Sequence, residues 1–156
     1  MQKLLPMYYC MDTCALICLR KTYYPPDIFC TLWKNLENFI SSGLVVAPNE
    51  VFEEIKKHTD EVYQWAKKHK NMFIDFDNDQ QIKLKEVLNK FPDLSNRIKS
   101  KYKTNTDADP IIISLSLSKG YIIVTEDKNL IKDCMEKLKI RCINLTDFFR
   151  NNNWNF

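Results

Sequence analysis

The stretch from Thr106 to Asp127, TDADPIIISLSLSKGYIIVTED, constrains the fold more than any other part of the chain. Two acids, Asp107 and Asp109, lead into a run of apolar and small residues from Ile111 to Leu117. Gly120 breaks the run, Ile122 to Val124 form a short β-branched segment, and Thr125-Glu126-Asp127 closes it. Pro110 suits the first turn of a helix, where the N–H it lacks is not needed. Asp109 is placed to cap that helix. Ile111, Ile112, Ile113, Leu115 and Leu117 leave no broad polar face, so the helix should be buried. Gly120 is a natural C-terminal stop. The run from Tyr121 to Val124 is continuous rather than alternating, as in a parallel strand covered on both faces. A helix feeding such a strand belongs to an open α/β sheet, where sites gather outside the carboxyl ends of the strands.

The rest of the chain repeats this alternation. Met7 to Met11 reads as a first buried strand ending at Asp12, and Thr13 to Leu19 as a helix. Tyr23-Tyr24-Pro25-Pro26 is a rigid loop, because each proline holds its predecessor extended. From Asp27, the residues Ile28, Leu32, Leu36, Phe39 and Ile40 recur at helical spacing until Gly43. Leu44 to Val46 is a second strand, and Asn49 caps a helix over Glu50 to Lys57. Asp60 starts another helix, and Met72 to Ile74 forms a short strand. Polar helices follow over Asp79 to Lys90 and Leu94 to Tyr102. After Asp127 come a helix from Asn129 to Leu138, a strand from Ile140 to Ile143 and a last helix from Leu145 to Arg150. Strands alternating with helices predict one α/β domain over 1–156, with helices on both faces of a parallel sheet.

Composition bounds the function class. The chain has 156 residues, 45% hydrophobic and 28% charged, which fits a soluble globular domain. No apolar run approaches the roughly 20 residues of a membrane span. The N-terminal stretch is interrupted by Asp12 and has no small-residue cleavage site, so no secretory signal is expected and the protein is expected in the cytoplasm. The formal net charge is only +3, so affinity for a polyanion must come from local patches. The six cysteines lie mostly in apolar runs, without a CxxC pair. They read as buried, reduced thiols rather than as disulfides or a zinc site.

Three acidic positions fall at related places in this topology. Asp12 ends the first strand, Asp109 opens the helix before a later strand, and Asp127, beside Glu126, follows that strand. The helix from Glu50 to Lys57 adds a fourth. At roughly 100° per residue its apolar face holds Val51, Phe52 and Ile55. Glu54 borders that face, Glu50 lies one turn earlier, and Glu53 points away. Clustered carboxylates repel one another, and burial adds to the cost unless a cation joins them. Hard oxygen donors without nearby His or Cys select Mg²⁺ or Mn²⁺. Such an ion can activate water for displacement at a phosphodiester. Each acid also has a plainer role. Asp109 and Asp12 can cap helices, Glu50, Glu53 and Glu54 can form a solvated face at a helix N-terminus, and Asp127 sits in a charged turn.

The chain resembles the PIN-domain family of metal-dependent ribonucleases, which includes the VapC toxins of toxin–antitoxin pairs. The resemblance rests on Met11-Asp12-Thr13 followed by Ala15-Leu16-Ile17, on Val51-Phe-Glu-Glu54-Ile, on Asp109-Pro-Ile-Ile-Ile-Ser-Leu-Ser, and on Val124-Thr125-Glu126-Asp127. The order and approximate spacing are the family's, and the match covers nearly the whole chain. The chain is most similar to a PIN subfamily with a YYPPDxF segment (Tyr23 to Phe29), a following Trp33, the triplet Ala108 to Pro110, and cysteines near Cys134 and Cys142. The resemblance implies a PIN-like three-layer α/β/α sandwich around a central parallel sheet of four to five strands. It implies Asp12, Glu54, Asp109 and Asp127 as metal-binding acids. Thr125 would orient the last acid or a water, and Thr13 would support the first. Many PIN proteins have Asn after Asp-Thr where this chain has Cys14, so a polar contact is expected to be missing there. Glu126 would share the role of Asp127, and Asp107 and Glu50 are additional acids near the site.

An RNA substrate needs cations near these acids. Arg97, Lys99, Lys101 and Lys103 run into the acidic loop, with Tyr102 among them to stack a base. Lys67, Lys68 and Lys70 form a second basic patch, better read as a solvated helix face. Besides RNA, the expected partners are a cognate antitoxin and a second copy of the chain, with Trp154 and Phe156 as exposed aromatics for docking. No membrane partner is expected. Other chemistries fit less well. His58 and His69 have no serine or cysteine partner for a nucleophilic triad. A haloacid-dehalogenase phosphatase would place Asp at position 14, where Cys14 stands. A receiver domain would need an acid after Leu44 to Val46, where Ala47-Pro48 follow. Gly43 and Gly120 are the only glycines, which excludes a glycine-rich dinucleotide loop. The rival of another class is a PIN-like scaffold that binds RNA or protein without catalysis.

Overall fold

A computed structural model describes residues 6–58, 60–75, 77–90 and 109–155. Five strands form one parallel sheet in the order β3-β2-β1-β4-β5: β1 (Tyr9–Met11), β2 (Val45–Pro48), β3 (Phe73–Ile74), β4 (Ile122–Val124) and β5 (Cys142–Ile143). Tyr9 pairs with Val45 on one side and Ile122 on the other, and Val124 pairs with Ile143. β1, β2 and β4 are buried throughout.

The flanking helices are α1 (Thr13–Ile17), α2 (Cys30–Ser41), α3 (Asn49–Lys56), α4 (Glu61–Lys68), α5 (Asn78–Lys90), α6 (Asp109–Lys119), α7 (Lys128–Asp133) and α8 (Leu145–Asn151). The decisive stretch folds as its residues dictate. α6 lies against β1, β2 and β4, with Ile112, Ile113 and Leu115 fully buried. Its buried hydroxyls are satisfied locally. Ser114 Oγ donates to Ile111 O at 2.7 Å, and Ser116 Oγ donates to Tyr121 O across the turn. Gly120 ends the helix at φ +76, in the left-handed region, and its N–H donates to Ser116 O at 2.8 Å.

Several details differ from the sequence reading. The helix after Asp12 is α-helical only to Ile17 and then widens into a π-helical turn over Cys18–Tyr23. A second π-helical turn, Cys134–Leu138, continues α7. Residue patterns at 3.6 spacing do not reveal such widening, because it inserts one residue into a helix without changing its composition. α2 begins at Cys30 rather than Asp27, and Ile28 is 70% exposed. Asn49 lies inside α3, which Pro48 precedes. Trp154 is not a free docking point. Its ring packs edge-on to Phe39 and Phe148 at 5.0 and 5.1 Å and stacks on Phe149. Phe156 and the expected helix over Leu94 to Tyr102 lie outside the described residues. Among the described residues no helix is long and apolar enough to cross a membrane.

A Cβ at Gly120 would meet no atom within 4 Å, so only the backbone angle resists a side chain. Gly120→Ala should therefore lower the free energy of unfolding by about 1–2 kcal/mol, and Gly120→Asn by less, as read by urea denaturation.

Candidate functional site

The strand order turns at β1 and β4, and this decides which side chains meet. β1 and β4 are parallel neighbours, with β2 on the far side of β1 and β5 on the far side of β4. The carboxyl ends of β1 and β4 are level, with Asp12 N–H donating to Val124 O at 2.9 Å. Asp12 and Thr125 therefore emerge side by side at the sheet's switch point, where open α/β sheets place their ligands.

Asp12 is 5% exposed and Thr125 fully buried. The Asp12 carboxylate accepts three hydrogen bonds. Oδ1 takes the Thr13 N–H at 2.8 Å, and Oδ2 takes the Thr125 hydroxyl at 2.7 Å and the Cys14 thiol at 3.2 Å. These donors offset the cost of removing the carboxylate from water. Thr125 is the hub. Its oxygen also lies 3.1 Å from Cys14 Sγ and accepts the Asp127 N–H at 3.1 Å. The contact expected to be missing at position 14 is present, because the thiol reaches the same carboxylate that an amide could. Burial, and then the negative charge of Asp12, push the Cys14 thiol up to about 12. At neutral pH it stays protonated and can serve as a donor.

The other expected site residues fall into three groups. Glu54, half-buried on α3, accepts a short hydrogen bond from the Thr13 hydroxyl, which ties α3 to the first turn of α1. Glu50 is also half-buried, and its Oε2 is buried without a hydrogen-bond partner among the described residues, whereas Glu53 is exposed. The inward edge of this helix is thus the one its periodicity predicts. Asp127 uses Oδ1 to accept the N–H groups of Asn129 and Leu130, capping α7. Glu126 accepts the Leu145 N–H at 2.8 Å and so anchors the start of α8. Asp109 stands at the first position of α6, but its side chain lies outside the described residues. So do Asp107, Arg97, Lys99, Lys101 and Lys103.

The second basic patch is a solvated face, with Lys67 over the Tyr63 ring at 5.0 Å and Lys70 over the Phe52 ring at 5.7 Å. His69 stacks on Trp65, and its Nδ1 lies 2.9 Å from Trp65 O, so it is a packed residue. Sequence reasoning did not identify Cys14 as a donor. Its position two residues beyond Asp12, on the first turn of a buried helix, was the available signal.

The donor chemistry suits a hard divalent cation. Asp12, Glu54 and Asp127 offer carboxylate oxygens, and Glu50 Oε2 is a buried oxygen with no hydrogen-bond partner among the described residues. Among the described residues no three His, Cys, Asp or Glu side chains stand close enough together to hold an ion. Asp12, Glu54 and Asp127 are all described, so the structure does not gather these three expected ligands into one such group, and the side chain of the fourth, Asp109, lies outside the described residues.

Residues 9–156 match the model of a family described as a domain of unknown function, DUF4411. The chain belongs to the DUF4411 family. No curated protein matches its sequence. The fold of this DUF4411 member is similar to that of a chain in the crystal structure of VapBC2 from Rickettsia felis bound to a DNA fragment from their promoter. The TM-score is 0.57 at 15% identity, covering 88% of this chain and 98% of that one. This DUF4411 domain is therefore an α/β protein with a PIN-like fold, its five-stranded parallel sheet flanked by helices.

The network makes two expected outcomes measurable. Thr125→Val removes the donor to Asp12 and the acceptor for Asp127 while keeping the shape. It should destabilise the fold by about 1–3 kcal/mol in urea denaturation, whereas Thr125→Ser should cost less. Iodoacetamide at pH 7.5 should modify the exposed Cys30 well before Cys14, as read by peptide mass mapping.

Proposed function

We propose that this protein is a Mg²⁺- or Mn²⁺-dependent endoribonuclease that hydrolyses RNA phosphodiesters and acts as the toxin of a toxin–antitoxin pair. The observation that carries this reading is the meeting of Asp12 and Thr125 at the β1–β4 switch point, with Glu54 joined through Thr13 and Asp127 joined through Thr125. The sequence resemblance to PIN ribonucleases and the shared fold with a VapBC2 chain support the same reading.

In this reading Asp12, Glu54, Asp109 and Asp127 hold the ion. When bound, the ion supplies a water activated for attack and neutralises charge on the phosphate. The chain's own residues prepare the place. Thr125 and Cys14 fix the Asp12 carboxylate against rotation, and Thr13 fixes Glu54. Glu50, Asp107 and Glu126 add negative charge beside the ion. Arg97, Lys99, Lys101 and Lys103 contact the RNA backbone, and a cognate antitoxin and a second copy of the chain are the proposed protein partners. The cytoplasm is the proposed compartment.

One observation favours a second reading, a PIN-like scaffold without catalysis. Asp12, Asp127 and Glu126 each already hold backbone N–H groups at helix starts.

Labelled single-stranded RNA separates the two. Cleavage should appear with Mg²⁺ or Mn²⁺, vanish with EDTA, and fall to background in Asp12→Asn and Asp109→Asn. Asparagine keeps the oxygen with which Asp12 caps α1, and circular dichroism should show both variants folded. Thr125→Val should lose about 10–100-fold in activity. Cleavage that survives both Asp→Asn substitutions contradicts the site, and no cleavage together with no bound metal favours the scaffold.

A further inference from the structure

The acids occupy the carboxyl edge of the sheet. At the opposite edge a cleft of about 410 Å³ opens where the chain enters β1, β4 and β5. That volume lies within the roughly 300–1,000 Å³ of small-ligand sites. Tyr8 and Tyr121, ahead of β1 and β4, stack with ring centroids 5.6 Å apart and planes inclined by 28°. Tyr8 is 42% exposed, so this aromatic pair reaches solvent. Lys139 and Arg141, ahead of β5, form the cationic wall, and both are exposed. Neither has an ion-pair partner among the described residues, and none of the described residues lining the cleft is acidic. The nearby Lys119 differs, because it is held by Asp77 and Asp79. Lys139 adopts φ +57, the left-handed turn that brings its backbone round into β5.

We propose that this cleft binds a nucleotide, with the base on the Tyr8–Tyr121 pair and the phosphate between Lys139 and Arg141. Two cations with no acid beside them among the described residues select an anion. A stacked tyrosine pair beside them selects an anion that carries a planar ring, since every base has a π-face to offer. An acidic peptide would satisfy the cations and leave the aromatic pair without a matching group. The nucleotide is either free or one unit of a single strand. Tyr8 and Asp12 are separated by the length of β1, roughly 13 Å at about 3.3 Å per residue, so this site and the acid site are distinct. The proposal does not rest on the ribonuclease reading.

Isothermal titration of the full chain in EDTA, with adenosine monophosphate, with adenosine, and with a five-nucleotide RNA, tests it. Adenosine monophosphate or the RNA should bind, and adenosine should bind at least about tenfold more weakly than its monophosphate. The double variant Lys139→Glu/Arg141→Glu should weaken binding at least about tenfold. Tyr8→Ala should weaken it at least about fivefold, the lower end of a lost base stack. Circular dichroism should show both variants folded, as their exposed positions allow. Binding of the monophosphate assigns a free-nucleotide site, and binding of the RNA alone assigns a strand contact. Absence of binding to both probes overturns the proposal, as does affinity unchanged in both variants. RNA cleavage lost in Asp12→Asn is read separately and bears only on the acid site.

Discussion

One hydrogen bond ties together the two strand ends at which the candidate site is built. The Thr125 hydroxyl donates to Asp12 Oδ2 at 2.7 Å, between the ends of two adjacent parallel strands. Everything about the sheet serves to bring those two side chains level. The order β3-β2-β1-β4-β5 reverses direction at β1 and β4. At that reversal no crossover helix covers the strand ends, so polar side chains can emerge there. A buried carboxylate in such a place requires donors, and Asp12 takes them from a backbone N–H, a hydroxyl and a thiol. Each donor belongs to α1 or to the end of β4, so the network also fixes how α1 leaves the sheet.

Two of the acids proposed as metal ligands, Asp12 and Asp127, also hold helix-start N–H groups, each through one carboxylate oxygen. Asp127 caps α7 through Oδ1 alone. Asp12 caps α1 through Oδ1, while Oδ2 faces Thr125 and Cys14. Capping orients a carboxylate and fixes its rotamer, which is what a site on rigid elements needs. The orphaned Oε2 of Glu50 is different. A buried carboxylate oxygen without a donor is costly, and among the described residues nothing offsets that cost. Glu50 lies one turn before Glu54 on the same helix.

Much of this arrangement was legible in the sequence because it follows from local rules. The apolar run after Asp109-Pro110 could only be a buried helix, and the continuous Ile122 to Val124 could only be a covered strand. Once both were placed, Asp12 and Asp127 had to fall at the same edge. The spacing of Val51, Phe52 and Ile55 correctly turned Glu54 and Glu50 toward the interior and Glu53 away. What was not legible depends on contacts between distant residues. Nothing local to Thr13 says that its hydroxyl meets Glu54, 41 residues on. Nothing local to Cys14 says that its sulfur would lie between Asp12 and Thr125. Trp154 looked like a surface aromatic because its partners, Phe39 and Phe148, come from other helices. The π-helical turns after Ile17 and Asp133 were hidden for another reason, since they shift register without any change in residue type.

The proposed cation site draws its side chains from four separate segments at the end of β1. Anomalous diffraction from a crystal soaked in Mn²⁺ tests this directly, because it locates the ion without reference to activity. A peak is expected within coordination distance of Asp12 and Asp109, with Glu54 or Asp127 completing the shell directly or through water. A crystal that binds Mn²⁺ elsewhere, or shows no peak beside an ordered Asp12, would contradict it.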